Sequence, residues 1–183
     1  MFQVLRRNSR PGVDHRHWRI TIQYYGVGGH FSTPGRVTQC VGREVDEHFA
    51  DAHRIVFESR LEELAYQIYV MDADGSDIFQ ITHTTARNVR PAWSPDGERI
   101  AFISGRDGEA QLYLMNADGS AQRRLTFGFG VIGSPSWSPD GGMILFNSDR
   151  TGDLELYAMR LNGQGTTQLT SDAASDFNGV WRP

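Results

Sequence analysis

The sequence predicts an all-β fold: a partial β-propeller of about three four-stranded antiparallel blades, preceded by an irregular N-terminal segment. Three observations predict it. A segment recurs at a fixed step of 44 residues, each copy breaks into four short runs rich in Ile, Leu, Phe and Tyr, and Pro-Asp-Gly or Asp-Gly turns separate the runs. A period of this size sets the architecture, because one unit cannot bury its apolar faces alone and must stack on its copies.

The repeat is read most plainly at Trp93-Ser94-Pro95-Asp96-Gly97, which returns 44 residues later as Trp137-Ser138-Pro139-Asp140-Gly141 and again as Trp181-Arg182-Pro183. Tyr69-Val70-Met71, Tyr113-Leu114-Met115 and Tyr157-Ala158-Met159 keep the same step, as do Ile81-Thr82, Leu125-Thr126 and Leu169-Thr170. The predicted strands of one unit are A (around Trp93), B (Ile100–Ser104), C (Gln111–Asn116) and D (Gln122–Thr126). Pro presets φ and Gly supplies the positive φ that the tight connections require. B and C are apolar without alternation, so both faces of each sheet must be covered, as radially packed blades cover them. Trp93, Trp137 and Trp181 are read as packing between blades, and Asp96 and Asp140 as turn residues.

Residues 1–54 fall outside the repeat and are read as a divergent leader, with residues 55–183 as the repeat region. The leader holds five of the six His. Within it, Trp18–Tyr24 alternates as a strand does, Glu44–His53 suits a short helix, and Gly26–Gly42 reads as loop.

Charge and composition exclude several classes. The leader carries eight Arg against five acidic residues and the repeat region ten against seventeen, so the repeats are acidic. A nucleic-acid surface needs a basic face, and none is predicted. No apolar run approaches the roughly 18 residues of a membrane span. Cys40 is the single cysteine, which rules out an internal disulfide and a cysteine-rich zinc site. Met1–Gly12 lacks the apolar segment of a secretory signal.

The unit Ile-Ala-Phe, Leu-Tyr-Leu-Met-Asn-Ala-Asp-Gly-Ser, Arg-Leu-Thr, Pro-Ser-Trp-Ser-Pro-Asp-Gly resembles the WD40-like (PD40) repeat of TolB-type propellers over residues 55–183. The resemblance implies a periplasmic protein of the Tol-Pal cell-envelope system, whose propeller binds a peptidoglycan-associated lipoprotein and other Tol components. Family members have six blades. Three blades here imply either a homodimer completing a six-bladed ring, each terminal A strand at Val180-Trp181 closing the partner's first blade, or a fragment of a longer protein. Both readings expect two open blade faces.

Motifs that could carry chemistry read as structure. Gly128-Phe129-Gly130-Val131-Ile132-Gly133 matches a dinucleotide pattern, but a strand follows it where a helix N-terminus is needed. Asp72-Ala73-Asp74-Gly75 lacks the further oxygens of a calcium loop. His48 and His53 are five apart, off the spacing that puts two imidazoles on one helical face. No Ser stands in Gly-x-Ser-x-Gly. No metal, cofactor or catalytic residue is predicted. The residues placed for binding vary between repeats on the D-to-A and B-to-C loops: Arg87, Arg90, Arg106, Phe127, Phe129 and Arg150. Exposed aromatics beside Arg suit a protein or peptide partner. The function expected is therefore a non-catalytic interaction module; the alternative is the substrate-gating propeller of a prolyl-oligopeptidase-like serine peptidase, without its catalytic domain.

Overall fold

The structure, a computed structural model, describes residues 23–24, 39–41, 54–59, 64–72, 77–128, 132–172 and 174–181. Every element among them is a strand. The first sheet orders β1 (Gln23–Tyr24), β2 (Gln39–Val41), β3 (Arg54–Ser59), β4 (Gln67–Asp72) and β5 (Phe79–Gln80). The second is β6 (Asn88–Trp93), β7 (Arg99–Ser104), β8 (Gln111–Asn116) and β9 (Arg123–Arg124); the third is β10 (Ile132–Trp137), β11 (Met143–Ser148), β12 (Glu155–Arg160) and β13 (Thr167–Gln168). Neighbours pair antiparallel except β1 with β2, which are parallel. These are the three predicted blades.

The turns form as the sequence predicts. Gly97 takes φ +70° and donates its N–H to Ser94 O at 2.9 Å, while Asp96 accepts from the Ser94 hydroxyl and from Glu98 N–H. Ser138-Pro139-Asp140-Gly141 repeats this, with Gly141 at φ +67°. Strand D is shorter than read, two residues in each sheet, because its last rung is made by a side chain. Ile68, Leu112 and Leu156 N–H donate to the hydroxyls of Thr82, Thr126 and Thr170 at 2.8, 2.9 and 3.0 Å.

The core lies in the seams between blades. The second and third blades each offer a face of Ile, Phe, Tyr and Met to the smaller aliphatics of the preceding blade. Trp93, Ile100, Phe102, Tyr113 and Met115 meet Val56, Ile68, Val70 and Ile81. Trp137, Ile144, Phe146, Tyr157 and Met159 meet Ala101, Ile103, Leu112, Leu114 and Leu125 in the same way. Trp137 is further fixed by its indole N–H, which donates to Ala92 O at 3.0 Å. Within each aromatic face the cross-strand Phe and Tyr rings stand 5.6 to 5.7 Å apart, a contact worth about 0.5–1.5 kcal/mol beyond burial.

The structure corrects three expectations. Residues 39–41, read as loop, form β2, which takes the A position of the first blade: Cys40 pairs with Ile55 as Trp93 pairs with Ile100. The first sheet therefore draws on both sides of residue 54, and the β3 edge that a partner's strand was to complete is filled. Val180-Trp181 forms no strand, since no B strand lies beside it among the described residues. The first blade's outer face is not open, because Ile55, Phe57, Tyr69 and Met71 are all buried. Of the predicted Trp18–Tyr24 strand, Gln23 and Tyr24 form β1; its first five residues and the helix predicted at Glu44–His53 lie outside the described residues.

Candidate binding face

The D-to-A and B-to-C loops do share one end of the blades. Asn88, the first residue of β6, pairs with Ser104, the last of β7, and Gly105 N–H donates to Arg87 O at 3.0 Å. A buried amide network ties this end together. Gln67, the first residue of β4, donates through Nε2 to Thr84 O and Ala86 O at 2.8 and 3.0 Å, and accepts from Asn88 Nδ2 at 2.9 Å. Gln111 repeats the arrangement one blade on, donating to Gly128 O at 2.9 Å and accepting from the Thr126 hydroxyl at 2.7 Å. The loops thus rest on a rigid floor.

The six predicted binding residues fall into three groups. Arg106 and Arg150 are committed to their own blades: Arg106 lies over Tyr113 at 4.6 Å and reaches Ser104 Oγ and Asn88 Oδ1, and Arg150 lies over Tyr157 at 4.8 Å and reaches Ser148 Oγ. Arg87, Arg90 and Phe127 face solvent. Arg87 caps the Tyr66 ring at 5.5 Å, and Phe127, 74% exposed, lies under the Arg124 guanidinium at 4.8 Å. Phe129 lies outside the described residues.

Arg90 sits at the bulge that shifts register between Val89 and Ala92, with φ +54° and its backbone N–H on Glu58 of the first blade. Its guanidinium packs against the α-carbon of Gly133 in the third blade; a Cβ there would meet Nη1 at 1.9 Å. Val89 holds the repeat position that Gly133 holds, so the missing side chain makes room for Arg90. One residue thereby touches three blades.

Sequence reading missed the group beside Phe127. Asp107 accepts from the Tyr113 hydroxyl and pairs with Arg124 at 3.1 Å. Burial and the Asp107 hydrogen bond push the Tyr113 phenol up to about 12. The Tyr113 hydrogen bond, helped by Arg124, holds the Asp107 carboxyl below its ordinary value. The signal was available in Asp107-x5-Tyr113, but only the fold brings Arg124 to it. Trp93 and Trp137 are buried in the two seams, Trp181 is half-buried beyond the third blade, and Asp96 and Asp140 hold turns. Among the described residues no three His, Cys, Asp or Glu converge as a metal site. What this end offers is guanidinium and aromatic surface on a fixed frame.

A family model of the TolB beta propeller domain (PD40) matches residues 35–130, more than half of the chain. The chain belongs to the TolB β-propeller family. The match starts ahead of β2, consistent with Gln39–Val41 serving as the A strand of the first blade. The Tol-Pal system protein TolB of Hamiltonella defensa is 27% identical over 109 residues, which are 60% of this chain and 25% of that protein. The chain therefore spans about a quarter of the length of this TolB relative. The crystal structure of TolB from Acinetobacter baumannii superposes with a TM-score of 0.61 at 29% identity, covering 67% of this chain and 32% of that one. Dipeptidyl-peptidase 5 of Porphyromonas gingivalis is 42% identical over 45 residues, 25% of this chain and 7% of that protein. About one PD40 repeat is shared with that peptidase.

Proposed function

We propose that this chain is a non-catalytic interaction module of the cell envelope that binds a protein or peptide partner with the end of its blades carrying Arg87, Arg90 and Phe127. The observation that carries the reading is the exposed Phe127 ring beneath Arg124, beside exposed guanidinium groups on loops anchored by Gln67 and Gln111. A ring and cations on a rigid frame lose little entropy on binding and supply the residue types that dominate interface energies. The Tol-Pal names of the relatives make an envelope lipoprotein the first partner to test.

Titration calorimetry with the soluble domain of a peptidoglycan-associated lipoprotein tests this. Phe127→Ala and Arg90→Ala are each expected to weaken binding about tenfold or more, while Asp118→Asn, at the opposite end of the blade, leaves it unchanged. Absence of binding, or a loss confined to Asp118→Asn, rejects the proposal. The second reading, a substrate-gating propeller of a serine peptidase, draws on the stretch shared with dipeptidyl-peptidase 5. It expects short peptides, rather than a folded domain, to bind this end.

A further inference from the structure

The fold dictates a glycine in the turns that join β8 to β9 and β12 to β13. Gly119 takes φ +85°, and a Cβ on it would meet Ile81 O of the first blade at 2.5 Å; Gly163 takes φ +80°, and a Cβ on it would meet Leu125 O of the second at 3.2 Å. Backbone angle and close approach to the neighbouring blade both call for a residue with no side chain. The residue before each glycine makes the turn's side-chain bond. Asp118 accepts from Ser120 N–H, and Asn162 Oδ1 from Gln164 N–H, each at 2.9 Å. The two turns share one geometry, but one carries an acid and the other an amide.

An amide that precedes glycine is open to attack by the glycine nitrogen, because no Cβ shields it. The bond from Gln164 N–H folds the Asn162 carboxamide back over the Gly163 peptide and draws electron density from its carbonyl carbon. One restraint opposes attack. Gly163 N–H donates to Arg160 O at 3.0 Å, so the nitrogen must first leave that bond. Asn162 and Gln164 are both exposed, and exposed turns open at little cost in free energy. The chain's other Asn-Gly pair, Asn178-Gly179, is set differently: Asn178 holds φ +57°, and Gly179 packs against the side chains of Leu145 and Leu156. Ring closure there has to move packed main chain.

We propose that Asn162 is a site of spontaneous deamidation, whose aspartate product the turn is already built to hold. The Gly163 nitrogen attacks Asn162 Cγ and forms a new C–N bond; the bond from Cγ to Nδ2 breaks, and ammonia leaves with the Gly163 amide proton. Water then opens the five-membered imide. Opening at Cγ gives aspartate on an unchanged backbone, and opening at the Asn162 main-chain carbonyl gives isoaspartate. Aspartate restores the Asp-Gly pair of the second blade and accepts from Gln164 N–H as Asp118 accepts from Ser120. Its new charge arrives one residue from Leu161, whose carbonyl accepts from Arg123 Nη2 of the second blade at 2.6 Å. Isoaspartate instead lengthens the main chain by one atom within a turn that abuts Leu125 O, and the turn opens. These turns lie at the end of the blades opposite the loop face, so the inference does not rest on the binding proposal.

The test is peptide mapping by mass spectrometry after the full chain has stood in mildly alkaline buffer. Cleavage after Arg160 leaves both Asn-Gly pairs on one peptide, so fragment ions assign the change to one residue. A gain of about 1 Da at Asn162 that grows with time and with pH is expected, ahead of any change at Asn178. Gly163→Ala slows the conversion at least about tenfold, and Asn162→Gln removes it without touching the glycine. Asn162→Asp is expected to unfold at the parent's temperature or above, while the isoaspartate form, separated by chromatography, unfolds below it. The proposal is overturned if Asn162 stays an amide, whatever happens at Asn178, or if Gly163→Ala converts at the parent's rate. It is also overturned if Asn162→Asp unfolds more than about 2 °C below the parent, since the turn would then not hold the product.

Discussion

Glu155 stands where the other two blades have Gln67 and Gln111. It is buried, as they are, and accepts from the Thr170 hydroxyl as Gln111 accepts from Thr126. A carboxylate, however, has no N–H to give to the loop that follows strand D, whereas Gln67 and Gln111 hold that loop through Nε2. Glu155→Gln is therefore expected to stabilise the protein by about 1 kcal/mol, the net worth of one recovered buried hydrogen bond, and a urea unfolding curve measures it. The opposite sign would mean that the carboxylate has a partner of its own. The Gln, Gln, Glu series was legible in the sequence at a step of 44, but its meaning was not. A Gln at the start of a strand says nothing until the carbonyls it reaches are known. Arg106 and Arg150 show a related limit: the strands holding Tyr113 and Tyr157 were legible, but not that each tyrosine ring turns toward the loop Arg that lies over it.

At the scale of elements, the units bounded by Trp-Ser-Pro-Asp-Gly were legible because the turn and the seam residue are written together. The first A strand was not. It has Cys40 in place of Trp, and fourteen residues separate Cys40 from Ile55 where six separate Trp93 from Ile100. Pairing needs only backbone and a partner edge, so the strand survives the loss of both signals. The seams hold the elements together, and Phe102 is fully buried in the first of them. Phe102→Ala is expected to cost about 3–5 kcal/mol through lost burial and the cavity it leaves. Thermal unfolding should show one lowered transition if the seam couples the blades, and two if the blades unfold separately.

For the whole molecule, acid is a shared vulnerability, because the repeat puts carboxylates in several of its turns. The Ser138 hydroxyl and Gly142 N–H hold Asp140 below the ordinary carboxylate range, and the Ser120 hydroxyl and N–H do so for Asp118. At Asp96 the Ser94, Glu98 and Arg99 donors outweigh a burial effect that would raise it, and Asp107 is lowered by Tyr113 and Arg124. A carboxyl lowered in the folded state contributes stability above its unfolded value, about 3.9, and loses it as pH falls through the folded value. The unfolding temperature should thus drop between about pH 5 and about pH 3, and Asp107→Asn should make that drop shallower. A flat profile would place these carboxylates outside the folding equilibrium.

The two faces of each blade also bear on polymerisation. One face is aromatic and the other small and aliphatic, so a seam joins unlike surfaces and cannot pair with itself. Contacts of this heterologous kind close into rings or run on as filaments. Here the aromatic face of the first blade, Ile55, Phe57, Tyr69 and Met71, is already buried, so the aliphatic face of a second copy has nothing to dock on there. A buried aromatic face acts as the capping units of repeat proteins do: on the first blade, head-to-tail growth has no bare surface from which to start.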